Sequence, residues 1–508
     1  MTEIMTSPGV QGYDPRTAAP AGEPVPLTSS AEIEATVARA ATASPAWGDW
    51  PPRRRAEALE RIAAAVENAA DDLVTLADLE TALGAARLHG ELARTTGQLR
   101  LFAEVLRDGN YVDAVITTAD ASAARPDMRR MLRPVGPCAV FSASNFPFAF
   151  SVLGGDTASA LAAGCPVVVK AHEAHPRTSV RTYSIARAAL EDAGAPDGVL
   201  GIVFGVEAGR RLVTHPVIKA VGFTGSQHGG RVLFDLAAAR PDPIPFYGEF
   251  GSVNPVFVLP HAAQSRAAEI AAGYAGSLTL GGGQFCTNPG LLFVPANSGL
   301  IPAITDAAAA RPPSPMLSRS IHEAYVRGTG ALGQIDGVTL LARGTADRDG
   351  GWWAVPQVHV TDLDTFAQHG DGLAQECFGP SGLVVTYHDG DALLRAAESL
   401  DGNLTASVHA DAGDMELAAR LEAPLRQRAG RLIFNGWPTG VAVAWATHHG
   451  GPWPSTSAAG YTSVGATAIA RWLVPVAYQN WPDELLPEAL CDANPLGLAR
   501  RVDATFPG

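Results

Sequence analysis

Apolar residues follow two different rules along this chain, and the change of rule marks its organisation. From Ser30 to Arg107 alanines, leucines and other apolar residues recur at three- and four-residue spacing with charges between them, which predicts amphipathic helices. Ser30-Ala-Glu-Ile-Glu34 opens the first, with acids in its first turn, and Pro45, Pro51 and Pro52 divide it from the next. This region reads as scaffold, with no chemistry assigned to it. Gly109 to Arg133 is more extended and turn-rich. Tyr111-Val-Asp-Ala-Val-Ile-Thr-Thr118 and the basic group Arg129, Arg130 and Arg133 predict a hairpin, interrupted by the alanine-rich Ala119 to Ala124. A hairpin that leaves its domain exposes an edge and invites contact between subunits.

From Pro134 onward the helical spacing gives way to short continuous apolar runs with helices between them. Cys138-Ala-Val-Phe141, Pro166-Val-Val-Val-Lys170, Leu200-Gly-Ile-Val-Phe204 and Ala220-Val-Gly-Phe223 read as strands of a parallel sheet covered on both faces, hence an α/β fold. Between Pro134 and Val169 the only charge is Asp156, so the stretch imitates a membrane span. Pro137, Pro147, Pro166 and several glycines break it into strand, loop, helix and strand. Ligands of parallel sheets sit at the carboxyl ends of the strands. Here those ends carry Ser142, Ala143, Ser144 and Asn145, then Lys170, His172 and Glu173, then Gly205, then Phe223, Thr224, Gly225 and Ser226. No GxGxxG follows the first strand. Gly222-Phe-Thr-Gly-Ser226 with Gly229-Gly230 is a weaker glycine turn, readable as a phosphate-side loop or as a tight connection. Beyond it come further αβ units, with strands at Gly290–Val294, Leu383–Tyr387, Leu404–Val408 and from Arg431. A strand-like Trp472–Val476 lies in a proline-rich tail that wraps over a neighbouring surface.

Composition narrows the class. At 508 residues the chain is too long for one ordinary core, and two or three domains are expected. With 47% hydrophobic and 17% charged residues it is globular, and a net charge of −14 argues against nucleic acid as a partner. The five cysteines, Cys138, Cys165, Cys286, Cys377 and Cys491, are scattered without a CxxC pair, which fits a reducing, cytoplasmic setting. Met1 to Ser30 shows no basic region followed by an apolar block, so no signal peptide is read there. His448 and His449 tempt a metal reading, but no carboxylate or cysteine stands beside them at ligand spacing, and no metal is expected.

Two stretches suggest chemistry. Gly281-Gly-Gly-Gln-Phe-Cys-Thr-Asn-Pro-Gly290 sets Cys286 between a glycine run and a sharp turn, where backbone passes close to a ligand. Phe246-Tyr-Gly-Glu-Phe-Gly251 sets Glu249 among apolar and aromatic neighbours, where desolvation is expected to raise its pKa, as suits a general base. A buried inert thiol and a backbone-bonded carboxylate are the plainer readings of each.

Taken in order, these motifs resemble the aldehyde dehydrogenase superfamily from about Ser30 to the end. The resemblance implies roles residue by residue. Asn145 in Ser-Asn-Phe-Pro147 falls on the oxyanion asparagine, Lys170 on the lysine at the cofactor ribose, and Gly222–Ser226 on the phosphate-side turn. Glu249 with Phe250 and Gly251 falls on the general-base motif, from which Phe250 and Ser252 depart. Cys286 falls on the nucleophile, and Glu376 with Phe378 in Glu-Cys-Phe-Gly-Pro380 on the nicotinamide side. The stretches around Cys286, Phe434-Asn-Gly-Trp-Pro-Thr-Gly440 and His449-Gly-Gly-Pro-Trp-Pro-Ser-Thr456 are similar to the α-ketoglutaric semialdehyde dehydrogenases; a fatty-aldehyde branch looks similar.

The resemblance implies oxidation of an aldehyde to its acid through a cysteine thiohemiacetal and thioester. The alternatives are a fatty or aromatic aldehyde substrate, or a non-enzymatic binding protein. The implied cofactor is NAD or NADP. Glu173 favours a free ribose, while Arg210 and Arg211 suit either a 2′-phosphate or a solvated helix face. Phe148, Phe150, Phe285, Trp437 and Trp453, with Thr287, are the candidate substrate walls, and no cation for a substrate carboxylate is evident. The implied architecture is a Rossmann-type cofactor domain (1–108 and 134–255), an α/β catalytic domain (256–466) and an oligomerisation hairpin and tail (109–133 and 467–508). A homodimer or homotetramer is expected.

Overall fold

The computed structural model describes residues 9–345, 348–503 and 505; the first eight residues of the polar N-terminal stretch lie outside them. After two short two-stranded pairings between Gly9 and Pro26 come four helices: α1 (Ser30–Gly48), α2 (Pro52–Asn68), α3 (Ala70–Thr81) and α4 (Ala85–Asp108). Ser29 caps α1 in a capping box with Glu32, satisfying amides that the first turn leaves free. Pro45 does not end α1 as expected. It sits in the last turns between the buried Ala43 and Trp47, whose packing holds the helix through the missing hydrogen bond, and the break falls at Asp49–Pro51. Pro52 then opens α2 at a position where a missing amide hydrogen is harmless.

The expected hairpin is present as β1 (Val115–Thr117) and β2 (Met128–Pro134), antiparallel with Val115 opposite Arg130. The alanine-rich interruption is a short 3₁₀ turn capped by the Asp120 side chain. The five-stranded parallel sheet follows: β3 (Cys138–Phe141), α5 (Gly155–Ala163), β4 (Val167–Lys170), α6 (Pro176–Asp192), β5 (Leu200–Val203), α7 (Val206–Thr214), β6 (Ala220–Thr224), α8 (Gln227–Ala238) and β7 (Phe246–Glu249). Its order is β7-β6-β3-β4-β5. The register aligns the carboxyl ends, pairing Phe141 with Lys170 and with Phe223, and Thr224 with Glu249. The membrane-like stretch is thus strand, loop, helix and strand. Among the described residues no helix is long and apolar enough to cross a membrane.

A second sheet begins with β8 (Val256–Val258). It continues through α9 (Ala267–Thr279), β9 (Leu291–Pro295), α10 (Arg319–Leu332), β10 (Thr339–Arg343), β11 (Gln357–Asp362), β12 (Ser381–Tyr387), β13 (Asn403–His409) and β14 (Ala429–Phe434). Its order is β10-β11-β12-β9-β8-β13-β14, parallel except for β10. Finally β15 (Leu473–Gln479) pairs antiparallel along β2, and β16 (Arg501–Val502) runs parallel to β1. Arg471, just before β15, places Nη2 2.6 Å from Asp156 Oδ1 on α5, with both side chains buried. The buried cores lie on both faces of each large sheet, the arrangement that the continuous apolar strands predict.

Candidate active site

The cysteine loop joins α9 to β9. Gly281, Gly282 and Gly283 all have left-handed backbone, with φ of 57°, 70° and 68°, a run that residues with a Cβ adopt only under strain. These residues turn the chain so that Cys286 faces a cavity of about 330 Å³. Asn254, itself left-handed at φ 47°, fastens the loop from below, its Nδ2 donating to the carbonyls of Cys286 (2.8 Å) and Asn288 (2.9 Å). Asn145, from the loop after β3, donates through Nδ2 to the Gln284 carbonyl at 2.9 Å and lines the same cavity.

Glu249 is the last residue of β7 and reaches Cys286 from the other sheet. Its Oε2 accepts a hydrogen bond from the Ser463 hydroxyl. Its Oε1 lies 3.0 Å from Nε2 of His449, and the same nitrogen lies 3.7 Å from Cys286 Sγ. The imidazole is at ion-pair distance from Oε1 but is not aligned for a hydrogen bond, so Oε1 has no hydrogen-bond donor among the described residues. Ligand-type atoms of Glu249, Cys286 and His449 all lie within 4.8 Å of one another. The spacing around His448 and His449 does not reveal this, because the partners come from distant parts of the chain.

Electrostatics overturn one expectation. Burial is the largest single influence on Glu249 and raises its pKa, as anticipated. The His449 imidazole, the Ser463 hydroxyl and the Cys286 thiol together outweigh it, and the carboxyl lies below its ordinary value. The Cys286 thiol is pushed well above its ordinary value, first by burial and then by the carboxylates of Glu249 and Glu376, with Arg94 opposing. Glu376 is pushed up to about 8 by burial.

Of the cofactor candidates, Ala143, Ser144, His172, Thr224, Gly225, Ser226, Phe250, Gly251, Glu376 and Phe378 line this cavity with Glu249. Gly251 lies against the Glu376 carboxylate, and a Cβ there would require that side chain to move. Lys170 donates to Glu173 at the end of β4, and Gly205 turns the chain into α7 at φ 104°. Ser142 and Phe223 are not on the cavity wall; Phe223 packs on Phe141, Phe246 and Phe250. Arg210 is exposed on α7, and Arg211 lies 3.7 Å from Glu207, so both occupy a solvated helix face.

The substrate walls need more correction. Phe150 lines the cavity. Phe285 stands behind it, edge-on to Phe146 at 5.3 Å. Phe148 is 1% exposed and belongs to the core beneath α4 and α5. Thr287 is buried next to Cys286 but away from the wall, and Trp437 packs on His409 and Tyr274. Trp453 is 47% exposed, against Phe250. Aromatic composition does not distinguish a wall from a core, and here the core claims more of them. Residues that the sequence reading passed over are His449, Ser463, Phe146 and the charged face of α4. That face was legible in principle: Arg87, Glu91 and Arg94 recur at helical spacing among buried apolar residues.

Residues 6–471 match the family described as the aldehyde dehydrogenase family. Over 503 residues the chain is 45% identical to α-ketoglutaric semialdehyde dehydrogenase 2 of Azospirillum brasilense, covering 97% of this chain and 95% of that protein. It is 43% identical over 460 residues to α-ketoglutaric semialdehyde dehydrogenase of Acinetobacter baylyi, covering 89% and 87%. Among solved structures, a 1-pyrroline-5-carboxylate dehydrogenase from Thermus with bound NAD superposes with a TM-score of 0.80 at 22% identity, covering 94% of this chain and 90% of that one.

Proposed function

The chain belongs to the aldehyde dehydrogenase family, and from that premise we propose that it oxidises α-ketoglutaric semialdehyde to 2-oxoglutarate with NAD or NADP. The observation that carries the chemistry is the meeting of Cys286, Asn145 and Glu249 around one cavity. The substrate reading is supported by the two relatives of that name, which match along most of their length.

In this reading Cys286 is the nucleophile. Its thiol is held neutral at rest, so a base must take the proton as attack begins, and His449 Nε2 and Glu249 are the groups in reach. The aldehyde oxygen becomes an oxyanion near the Asn145 amide, which has a second N–H free of Gln284; such a donor is typically worth about 3 kcal/mol. Aligned strand ends, the turn Thr224-Gly-Ser226 and the close approach of Gly251 to Glu376 fit a nicotinamide cofactor, which when bound supplies the hydride acceptor. Glu249, ionised because of His449, then activates the water that releases the acid from the Cys286 thioester.

An assay of NAD(P)H formation tests the reading. It crosses both cofactors with α-ketoglutaric semialdehyde, succinic semialdehyde, hexanal, decanal and benzaldehyde. A large preference in kcat/KM for the oxo-acid semialdehyde supports it. A preference that rises with alkyl length overturns it in favour of a fatty aldehyde, the second reading, which the phenyl walls of Phe146 and Phe150 favour.

We also take residues 1–108 and 134–255 as the cofactor domain, 256–466 as the catalytic domain, and the sheet of β1, β2, β15 and β16 as the contact surface of a homodimer or homotetramer. The scattered free cysteines support a cytoplasmic setting.

A further inference from the structure

The buried face of α4 carries more positive charge than its surroundings neutralise. Arg87, Glu91 and Arg94 lie on one side of the helix, one turn apart, pointing toward the loop that holds Asn145. Glu91 offsets part of this charge: its Oε1 accepts from the amides of Phe148 (2.8 Å) and Ala149 (3.0 Å), its Oε2 has no hydrogen-bond partner among the described residues, and its field acts on both arginines without an ion-pair contact to either. Arg87 spends one nitrogen on the Asn145 carbonyl, at 2.8 Å. The remaining donors are Arg87 Nη1, Arg94 Nε and Arg94 Nη2. All three are buried and have no hydrogen-bond partner among the described residues. Neither guanidinium has a carboxylate within ion-pair distance among those residues.

Buried guanidinium donors left open are costly unless a ligand completes them. Their placement says where that ligand comes from. Arg94 lies over the rings of Phe146 (5.7 Å) and Phe150 (5.2 Å), and both rings line the cavity in front of Cys286. Arg87 lies over Phe146 (5.3 Å) and Phe285 (4.7 Å). The two charges therefore stand directly behind the aromatic wall, and the field of Arg94 reaches both Cys286 and Glu249. Gly281 leaves room for this: a Cβ there would collide with Arg87 Nη1. Arg431 also influences Cys286, and its Nε is likewise buried without a hydrogen-bond partner among the described residues, but its Nη2 is held by the carbonyls of Pro438 and Gly440 and it stands over neither aromatic ring of the cavity wall.

We propose that Arg94 and Arg87 form the anion-binding end of the substrate cavity and receive the carboxylate of an oxo-acid semialdehyde whose aldehyde lies at Cys286. The assignment rests on the substrate reading above and supplies the cation that the reading needs. A guanidinium fork matches a carboxylate two bonds at a time, which gives selection by charge and by length together. Neither arginine lines the cavity in this structure, so the proposal requires the Phe146 or Phe150 ring to turn aside for the carboxylate to reach the guanidinia.

The test compares kcat/KM for α-ketoglutaric semialdehyde with that for pentanal, in the wild type and in Arg94→Gln, Arg87→Gln and Arg94→Lys. We expect the ratio to fall on the order of a hundredfold in Arg94→Gln, mainly through KM, and to recover in part in Arg94→Lys. A ratio that stays at the wild-type value, or a loss confined to kcat for both aldehydes, overturns the proposal and leaves the arginines as packing for the aromatic rings. If Arg94→Gln does not fold, Arg94→Lys carries the test, with a fall of about tenfold expected because lysine lacks the fork. Pentanoate, as a competitor of pentanal in the wild type, separates the two claims. A wild type that does not prefer the semialdehyde overturns the substrate reading alone, provided pentanoate still competes and Arg94→Lys weakens it. Absence of that competition overturns the anion site whatever the substrate.

Discussion

His449 Nε2 stands 3.0 Å from Glu249 Oε1, and the two side chains are 1% and 4% exposed. A carboxylate so deeply buried would ordinarily hold its proton into the neutral range, and this pairing is the main force against it. In its proposed role Glu249 acts as a base only when ionised. In His449→Asn burial prevails, the folded-state pKa of Glu249 rises, and the acid limb of the kcat–pH profile moves to higher pH. An acid limb that stays in place would show that His449 does not set this ionisation.

Cys286→Ala is expected to abolish aldehyde oxidation while cofactor binding, followed by nicotinamide fluorescence, persists. Glu249→Gln is expected to form one equivalent of reduced cofactor in a burst and then stall before deacylation. Steady turnover near the wild-type rate in either variant removes that residue from its role.

Glu376 gives the cofactor-free protein a pH signature. Its folded-state pKa is about 8, above the ordinary carboxyl value of 4.5, so the folded protein keeps this proton after the unfolded chain has lost it. Its contribution favours folding at and below pH 4.5 and is lost progressively as pH rises to about 8. Glu376→Gln removes the titration. The Tm of the variant minus that of the wild type is expected to increase between those limits; a difference independent of pH contradicts the assignment.

Glu173 holds the Lys170 ammonium at the end of β4. Removing its charge in Glu173→Gln frees the lysine for an added phosphate and ends repulsion of one. The ratio of kcat/KM for NADP to that for NAD is expected to rise about tenfold. No change in the ratio would place cofactor choice elsewhere.

The contact between Arg471 and Asp156 ties the segment before β15 to α5, with both charges buried. Arg471→Met leaves a carboxylate without its partner, and a loss of about 3–5 kcal/mol is expected in chemical denaturation. The variant lacking both charges, Arg471→Met with Asp156→Ala, is expected to lose less, because no orphaned ion remains.

The strands from β3 to β6 were legible because a sheet covered on both faces demands unbroken apolar runs, and Val167, Val168 and Val169 form one that ends only at Lys170. Cys286, Glu249 and Asn145 stood out because glycine and proline mark each stretch locally. His449 did not, since its meaning comes from a cysteine 163 residues away in the chain and a strand end farther still. Glu249 was misjudged for the same reason: local context shows its burial but not the imidazole that offsets it. Pro45 was read as a break because local propensity ignores the core that holds Trp47. Arg87 and Arg94 were hidden by an assumption that charges on a helix face water: Arg100, Glu104 and Arg107 of α4 do so, whereas Arg87, Glu91 and Arg94 turn inward.

Glu249 ends the outermost strand of one sheet, while Cys286 precedes a strand of the other. A recombinant made by exchanging the half built on the first large sheet between relatives would therefore import its own Glu249 and confront it with a foreign thiol. The seam that looks natural to a protein engineer runs through the middle of the reaction. Working hybrids are expected to be those in which the segment carrying His449 and Ser463 travels with β7, so that breeding by shuffling must treat two separated stretches of gene as one heritable unit.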